Sequence, residues 1–224
     1  MTTTNHIAWS FSSLKTFQQC PKKYYHTKVA KDVVEPDTQA TLYGKEAHTA
    51  AEEFIRDDKP VPPKFEYMST TLNHLKNIAG TKYCEYKMGI RQDLSACDFF
   101  AKGVWWRGVA DLLVINEDKG LAHSLDYKTS KNARYADTKQ LDLVAVGIFA
   151  HFPKVVRVKS ALAFVVSKEF IKTEHHREMI PKYIEKPAQD VARIEEALKN
   201  GVWNPVQGPL CRFCSVKQCE YNRS

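Results

Sequence analysis

The sequence lacks the features that mark membrane and secreted proteins. Its 224 residues contain no run of about eighteen apolar residues, the length that a transmembrane helix needs. The N-terminal stretch MTTTNHIAWSFSS lacks the charged-then-apolar layout of a secretory signal. Internal repeats and low-complexity tracts are also missing. We therefore expect a cytoplasmic globular protein that does not act at a membrane.

The composition is ordinary for a globular chain but carries a basic bias. Hydrophobic residues make up 43% and charged residues 26%, and the length suits a single domain over residues 1–224. The formal net charge is +7 and the sequence pI is about 9.0. Cationic proteins associate with polyanions because condensed counterions are released on binding. The charge favours a nucleic-acid partner without identifying one.

Hydrophobic periodicity predicts that helices and strands alternate along the chain. Ser10 or Ser12 is the expected N-cap of the first helix, and residues 116–120 form a polar turn that should close a hairpin. This order predicts an α/β fold, with a central mixed β-sheet flanked by helices. The predicted helices are 10–20, 38–57, 69–79, 137–151 and 188–200, and the predicted strands are 82–90, 104–115, 121–128 and 155–166.

Two strands of the predicted hairpin carry acidic residues in apolar surroundings. Asp111 lies within GVADLLV, and Asp126 and Lys128 lie two residues apart, on one face of the next strand. A carboxylate among valine and leucine is costly unless it meets a cation. Carboxylates are ligands for hard divalent ions, so this hairpin predicts a metal site. A partly buried ion pair of Lys128 with either aspartate is the alternative.

Two more polar residues stand in a fixed order around this hairpin. His48 follows Gly44 by four residues on the predicted helix 38–57, and Gln140 opens the helix after Lys128. The resulting order is Gly-x3-His, Gly-x2-Asp, Asp-x-Lys and then Gln. This ordered set, spread over roughly residues 10–220, resembles the RecB-like branch of the PD-(D/E)xK nuclease superfamily, which has a restriction-endonuclease-like core.

The resemblance implies a role for each residue of the set. Asp111 and Asp126 would hold Mg²⁺ or Mn²⁺, with His48 and the Tyr127 carbonyl as further ligands. Lys128 would orient the attacking water, and Gln140 would place Lys128 or the substrate. Two positions depart from the family pattern: Val144 stands where a tyrosine often follows the glutamine, and Ala110 stands where a proline often precedes the aspartate.

Cysteines near both ends of the chain suggest a second metal centre. Cys211, Cys214 and Cys219 form a Cys-x2-Cys-x4-Cys motif, which leaves a tetrahedral site one ligand short, and Cys20 is the best candidate for the fourth. Iron–sulfur nucleases of the AddB and CRISPR-associated types resemble this arrangement, which implies a [4Fe–4S] cluster in a subregion built from residues 1–37 and 201–224. Four cysteines also suit zinc, so Zn²⁺ remains the alternative.

Aromatic residues beside cations are candidates for contacts with single-stranded DNA. Lys22, Lys23 and Tyr24 follow Cys20, and such pairs can stack on bases while they bind phosphates. Trp105 and Trp106 precede Arg107, but each tryptophan is expected to pack into the core.

The resemblance implies a metal-dependent deoxyribonuclease. It would be an exonuclease on single-stranded ends, with 5′ to 3′ polarity, in recombination, repair or phage DNA metabolism. One alternative is a catalytically silent iron–sulfur DNA-binding or assembly subunit of a helicase or recombination complex. Another is a structural metal-binding protein that acts on RNA or within a helicase complex.

Overall fold

The computed structural model describes residues 7–134 and 136–223 and divides the chain into two compact units. The first, here called the sheet unit, is Asp37–Ile184. The second, here called the terminal unit, combines Met1–Pro36 with Glu185–Ser224. None of the helices within the described ranges is both long and apolar enough to cross a membrane.

A six-stranded mixed sheet forms the centre of the sheet unit, in the order β2-β1-β3-β4-β5-β6. Only β4 and β5 pair in parallel, and the other neighbours are antiparallel. The predicted mixed sheet is therefore confirmed, and so is the hairpin of β3 and β4. The strands are β1 (Thr81–Ile90), β2 (Ala96–Cys97), β3 (Trp106–Asn116), β4 (Leu121–Lys128), β5 (Arg157–Phe164) and β6 (Glu169–His176).

Helices cover both faces of this sheet. On one face α3 (Gln39–Asp57) and α4 (Ser69–Lys76), joined through a 3-10 turn at Pro63–Met68, enclose a core with Leu112, Leu125 and Tyr127. On the other face α5 (Lys139–His151) brings Gly147 against Trp106 and Met88. Burial of apolar surface on both faces stabilises the sheet. Trp105 and Trp106 are both buried, as predicted.

The hairpin of β3 and β4 comes apart at one end. The last paired residues are Leu112 and Leu125, yet β3 runs back to Trp106 beside β1 and β4 runs on to Lys128 beside β5. Asp111 and Asp126 are the next residues beyond that last pair. The separation of the strands leaves backbone groups without ladder partners. The two predicted metal-binding aspartates therefore lie where the sheet divides.

The terminal unit has its own apolar contacts. It contains α1 (Phe11–Gln19), α2 (Pro21–Tyr24), a π-helical turn at Tyr25–Val29, and most of α6 (Ile180–Asn200). Ser10 caps α1 with a capping box, as one of the two predicted alternatives requires. Tyr24 stacks on Trp203 with ring centroids 6.0 Å apart, and Phe17 meets both rings edge-on.

Of the elements that differ from the prediction, β6 and α6 are the longest. Strand β6 was not predicted, because its sequence EFIKTEHH is largely polar and exposed, as befits the edge of a sheet. Helix α6 begins at Ile180 rather than near residue 188, because the helix continues through Pro187. Proline usually interrupts a helix, so the predicted helix began after Pro187, later than the real one.

Candidate active site

Asp111 takes the place of a missing backbone partner at the point where β3 and β4 separate. Its Oδ2 accepts a hydrogen bond from the Tyr127 N–H at 2.7 Å. The side chain is 11% exposed and therefore almost wholly withdrawn from water. This bond fixes the carboxylate beside the Tyr127 backbone, whose carbonyl is another predicted metal ligand.

His48 reaches the same place from α3. Its Nε2 lies 3.0 Å from the Tyr127 carbonyl oxygen and donates to it. Its Nδ1 lies 3.5 Å from Asp111 Oδ2 and 3.8 Å from Glu85 Oε1. The residue sits one turn after Gly44 and next to Ala47, which is fully buried in the core. The packing of α3 on the sheet therefore aims the imidazole at the divided hairpin.

Glu85 is a site residue that the sequence analysis missed. The flanking pairs Cys84–Leu112 and Tyr86–Ala110 place it opposite Asp111, and its backbone is left-handed, with φ of 50°. Such a conformation is uncommon for a residue with a Cβ and is often found at functional sites. Strand alternation alone would place this side chain on an ordinary polar face. The kink instead turns its carboxylate toward His48.

The electrostatics of the site reflect crowded negative charge. Burial, with a further contribution from Asp126, raises the pKa of Asp111 to about 7. Burial alone would lower the pKa of His48, but Glu85, Asp111 and the Tyr127 carbonyl together raise it to about 9. The protonated imidazole thus balances part of the charge that these carboxylates bring together.

Asp126 is held by two side chains of the predicted set. Gln140, in the first turn of α5, donates from Nε2 to Asp126 Oδ1 at 2.7 Å. The Lys128 ammonium lies 2.6 Å from Asp126 Oδ2. The side chain of Lys128 is 35% exposed, so water can reach it. The structure therefore contains the ion pair that the sequence analysis weighed as an alternative to metal binding.

The donor atoms present suit a hard divalent cation. Ligand atoms of His48, Glu85 and Asp111 all lie within 4.8 Å of one another. The Tyr127 carbonyl adjoins them, and Asp126 is near enough for its charge to raise the pKa of Asp111. Carboxylate and carbonyl oxygens with one imidazole match the ligands that Mg²⁺ and Mn²⁺ accept. A cation here would offset the burial and the repulsion from Asp126 that together raise the pKa of Asp111.

The four predicted cluster cysteines line one cavity of the terminal unit. Cys20, Cys211, Cys214 and Cys219 surround a volume of about 360 Å³. Backbone N–H groups face two of the sulfurs: Val206 N lies 3.5 Å from Cys20 Sγ, and Gly208 N lies 3.3 Å from Cys211 Sγ. None of the six cysteines forms a disulfide within the residues that the structure describes.

The residues predicted to contact DNA have partners within the terminal unit. Lys22 is ion-paired with Glu220, and Lys23 Nζ lies 2.6 Å from Glu35 Oε1. Tyr24 has no exposed surface because its ring is enclosed with Phe17 and Trp203. A buried ring offers no face for a base, so we do not retain Tyr24 among the proposed DNA contacts.

Comparisons with known proteins bear on the fold and on part of the sequence. Residues 8–79 match the sequence model of the PD-(D/E)XK nuclease superfamily. None of the curated proteins matches the sequence significantly. A crystal structure described as "Putative exonuclease" from Eubacterium rectale aligns with 98% of this chain and 90% of its own, with a TM-score of 0.57 and 14% identity. A second solved structure, of SSO0001, aligns with 97% of this chain and 88% of its own. Its TM-score of 0.46 and its 12% identity are too low to carry an argument. Over residues 8–79 the chain is thus similar to the PD-(D/E)XK nuclease superfamily, and its mixed α/β fold is similar to that of the Eubacterium rectale protein.

Proposed function

We propose that this protein is a divalent-metal-dependent DNA exonuclease that hydrolyses phosphodiester bonds at single-stranded ends in the 5′ to 3′ direction. The observation that carries the proposal is the gathering of His48, Glu85 and Asp111 where the sheet divides, beside Asp126 and Lys128. The superfamily match and the similar fold described as an exonuclease support the same class. End resection of this kind serves recombination, repair or phage DNA metabolism.

Each side chain of the site has a chemical task in this proposal. Asp111, Asp126, Glu85, His48 and the Tyr127 carbonyl would hold the cation. When bound, a divalent ion lowers the pKa of a water molecule and offsets the charge that develops on the phosphate.

Two residues next to Asp126 act beside the metal ligands. The Lys128 ammonium, which belongs to a partly exposed side chain, would orient the attacking water and stabilise its deprotonated form. The amide of Gln140 holds the Asp126 carboxylate in a fixed orientation, as outer partners of metal ligands do.

Cleavage of end-labelled single-stranded DNA with Mn²⁺ tests the proposal. We expect wild-type protein to release short products progressively from the 5′ end. Asp126→Ala and Lys128→Ala should each reduce the rate by about 10²–10³-fold, the loss that follows removal of a single electrostatic group at other active sites. An exposed ion pair elsewhere in the sheet unit supplies the control: Lys154→Ala, which breaks the contact with Glu117, should leave the rate unchanged.

Other outcomes would assign a different function. Binding of DNA without cleavage under every metal tested would favour a catalytically silent subunit that kept the nuclease scaffold. Activity that survives Asp126→Ala would show that the site is misplaced. Release from the 3′ end would reverse the proposed polarity and leave the chemistry intact.

We propose in addition that the four cysteines of the terminal unit bind a [4Fe–4S] cluster that stabilises this unit. All four line one cavity, and N–H groups directed at sulfur are suited to thiolates that bear negative charge. Four cysteines also suit zinc, and the preference for iron–sulfur follows from the resemblance to the AddB and CRISPR-associated nucleases.

Metal analysis of the purified protein tests the cluster. We expect a brown preparation with about four irons per chain. Cys214→Ser should lose the colour and lower the melting temperature, whereas Cys97→Ser, in strand β2, should keep both. Colourless wild-type protein with stoichiometric zinc would overturn the assignment, and an unchanged melting profile of Cys214→Ser would show that the centre is not stabilising.

A further inference from the structure

An exposed aromatic ring with two cations stands beside the candidate active site. Phe100 is 75% exposed, and its ring meets Phe99 edge-on with centroids 4.9 Å apart. The Arg107 guanidinium lies 5.5 Å from each of these two rings, and the Lys87 ammonium lies 6.0 Å from Phe100. We call these four residues the aromatic patch.

The patch is held in place by ordered backbone. Ala101 N donates to Asp98 O at 2.9 Å, so Phe99 and Phe100 are the central residues of a tight turn. Trp105 N donates to Ile90 O at 2.8 Å, and the Trp105 side chain is buried behind the turn. An apolar ring is thus presented to water on a fixed support, although the core next to it could have enclosed it. Such exposure indicates a binding role.

The charge of the patch is uncompensated. Neither Lys87 nor Arg107 has a carboxylate within ion-pair distance among the residues that the structure describes. The Arg107 Nε is buried and has no hydrogen-bond partner in the described part of the chain. Two free cations beside an aromatic face are complementary to a chain of phosphates that carries stackable bases.

The patch lies on the path to the catalytic groups. Lys87 is two residues along β1 from Glu85, and Arg107 is four residues along β3 from Asp111, which places them about 7 Å and 13 Å from those residues at the usual strand rise. Met88 and Trp106, the neighbours of Lys87 and Arg107, point to α5, so the two cations face the side on which Glu85 meets His48 of α3.

Glu85 of the site and Lys87 of the patch line the same open hollow. It has a volume of about 800 Å³ and is lined by residues 82–87 of β1 together with Glu52, Ile55 and Arg56 of α3.

We infer that the aromatic patch binds the unpaired strand of the DNA substrate, with one base stacked on Phe100 and flanking phosphates on Lys87 and Arg107. This inference rests on the proposed nuclease function and names the form of DNA that the site accepts. A base can stack on Phe100 only when its own face is free, because in a duplex both faces are covered by neighbouring pairs. The patch therefore selects single strands, and it does so without reading the sequence.

Binding of a labelled single-stranded oligonucleotide in EDTA, followed by fluorescence anisotropy, isolates the patch from catalysis. Phe100→Ala should weaken binding by about five- to a hundredfold, the range expected for one base–aromatic stack. Phe100→Trp should retain affinity because the larger ring also stacks. Lys87→Met should reduce the slope of log affinity against log salt by about 0.7, the value for one phosphate contact on a single strand.

A matched aromatic residue serves as the control. Phe170 is 37% exposed on β6, and the Lys172 ammonium lies 5.8 Å from its ring. Phe170→Ala should bind the oligonucleotide as the wild type does. Equal affinity of Phe100→Ala and wild type would overturn the inference. An equal loss of affinity by Phe100→Ala for blunt duplex would overturn it as well, since stacking requires an unpaired base.

A small phosphodiester without bases separates this inference from the proposed function. Bis(p-nitrophenyl) phosphate with Mn²⁺ should be hydrolysed by wild type and not by Asp126→Ala. If wild-type protein cleaves neither this diester nor DNA, the nuclease proposal fails. If wild type cleaves both and Phe100→Ala loses nothing on single strands, the patch alone is refuted.

Discussion

Asp111 accepts the Tyr127 N–H at 2.7 Å across the gap where β3 and β4 cease to pair. The same contact satisfies a backbone donor that the divided sheet leaves behind and fixes a carboxylate next to a carbonyl that is itself a candidate ligand. The hydrogen bond from Tyr127 to Asp111 therefore contributes both to the fold and to the candidate site. A change at this residue affects both, so the most informative substitutions are at its neighbours.

Glu85 gives the first of these. Glu85→Gln should weaken Mn²⁺ binding by about ten- to a hundredfold, because a charged ligand becomes neutral. It should also lower the pKa of His48 from about 9, since contact with Glu85 helps to raise it. A pH titration of the His48 ring by NMR measures this shift. Glu66→Gln, an exposed acid in the turn before α4, is the control. An unmoved His48 titration would remove Glu85 from the site.

Metal affinity should rise with pH between 6 and 8. A cation binds carboxylates and imidazoles in their deprotonated forms, so protons held by Asp111, with its pKa near 7, and by His48, with its pKa near 9, must leave. As pH falls through 7, Asp111 takes up a proton and binding weakens. Calorimetric titration of Mn²⁺ in buffers of different ionisation enthalpy should show proton release near pH 7. An affinity independent of pH would contradict this charge balance.

Gln140→Ala should lower the rate of DNA cleavage by about ten- to a hundredfold with little change in stability, because Asp126 loses the bond that orients it. The terminal unit offers a matched pair: Gln18 Nε2 donates to Asp190 Oδ2 at 2.8 Å. Gln18→Ala should cost about 1.5–3 kcal/mol of stability, since Asp190 is buried, and should spare the rate. Rates and urea unfolding curves for both variants distinguish the roles. Equal rates for the two would show that Gln140 is only structural.

Two helical glycines should respond in opposite directions to alanine. A Cβ at Gly147 of α5 would lie 2.8 Å from Trp106 Cζ3 and 3.1 Å from Met88 Sδ, so Gly147→Ala should destabilise the sheet unit by about 1–3 kcal/mol. A Cβ at Gly44 of α3 would meet Thr129 Oγ1 at an ordinary 3.6 Å. Gly44→Ala should therefore stabilise by about 0.5–1 kcal/mol through helix propensity. Chemical denaturation measures both. A stabilised Gly147→Ala would show that the packing there is looser than the distances indicate.

Much of the fold follows from local patterns in the sequence. Alternation and the turn that ends at Gly120 predicted the β3–β4 hairpin. In the structure Gly120 adopts the left-handed conformation, with φ of 56°, that glycine readily supplies. Strand β6 escaped prediction because an edge strand need not bury a face. The start of α6 was misjudged because Pro187, an unfavourable helix residue, is tolerated in a helix held by other contacts.

The site was predictable only in part. Asp111, Asp126 and Lys128 share a pattern of sequence and hydrophobicity that marks them in advance. Glu85 has no such signal, because alternation places its side chain on a polar face and only the left-handed backbone redirects it. The aromatic patch was equally hidden: Phe100 is identified by its exposure, which depends on the turn at residues 98–101 rather than on composition.

The terminal unit is assembled from two segments that the whole of Asp37–Ile184 separates. The sheet unit is one continuous stretch of chain, so during synthesis it can fold before the second segment of the terminal unit, Glu185–Ser224, has been made. Cys20 is made long before Cys211, Cys214 and Cys219, and these thiols meet only after that long loop closes. A nascent chain that stalls after residue 184 would hold every proposed catalytic group and only one of the four thiols. The proposed [4Fe–4S] cluster would therefore assemble late, after translation has passed residue 219.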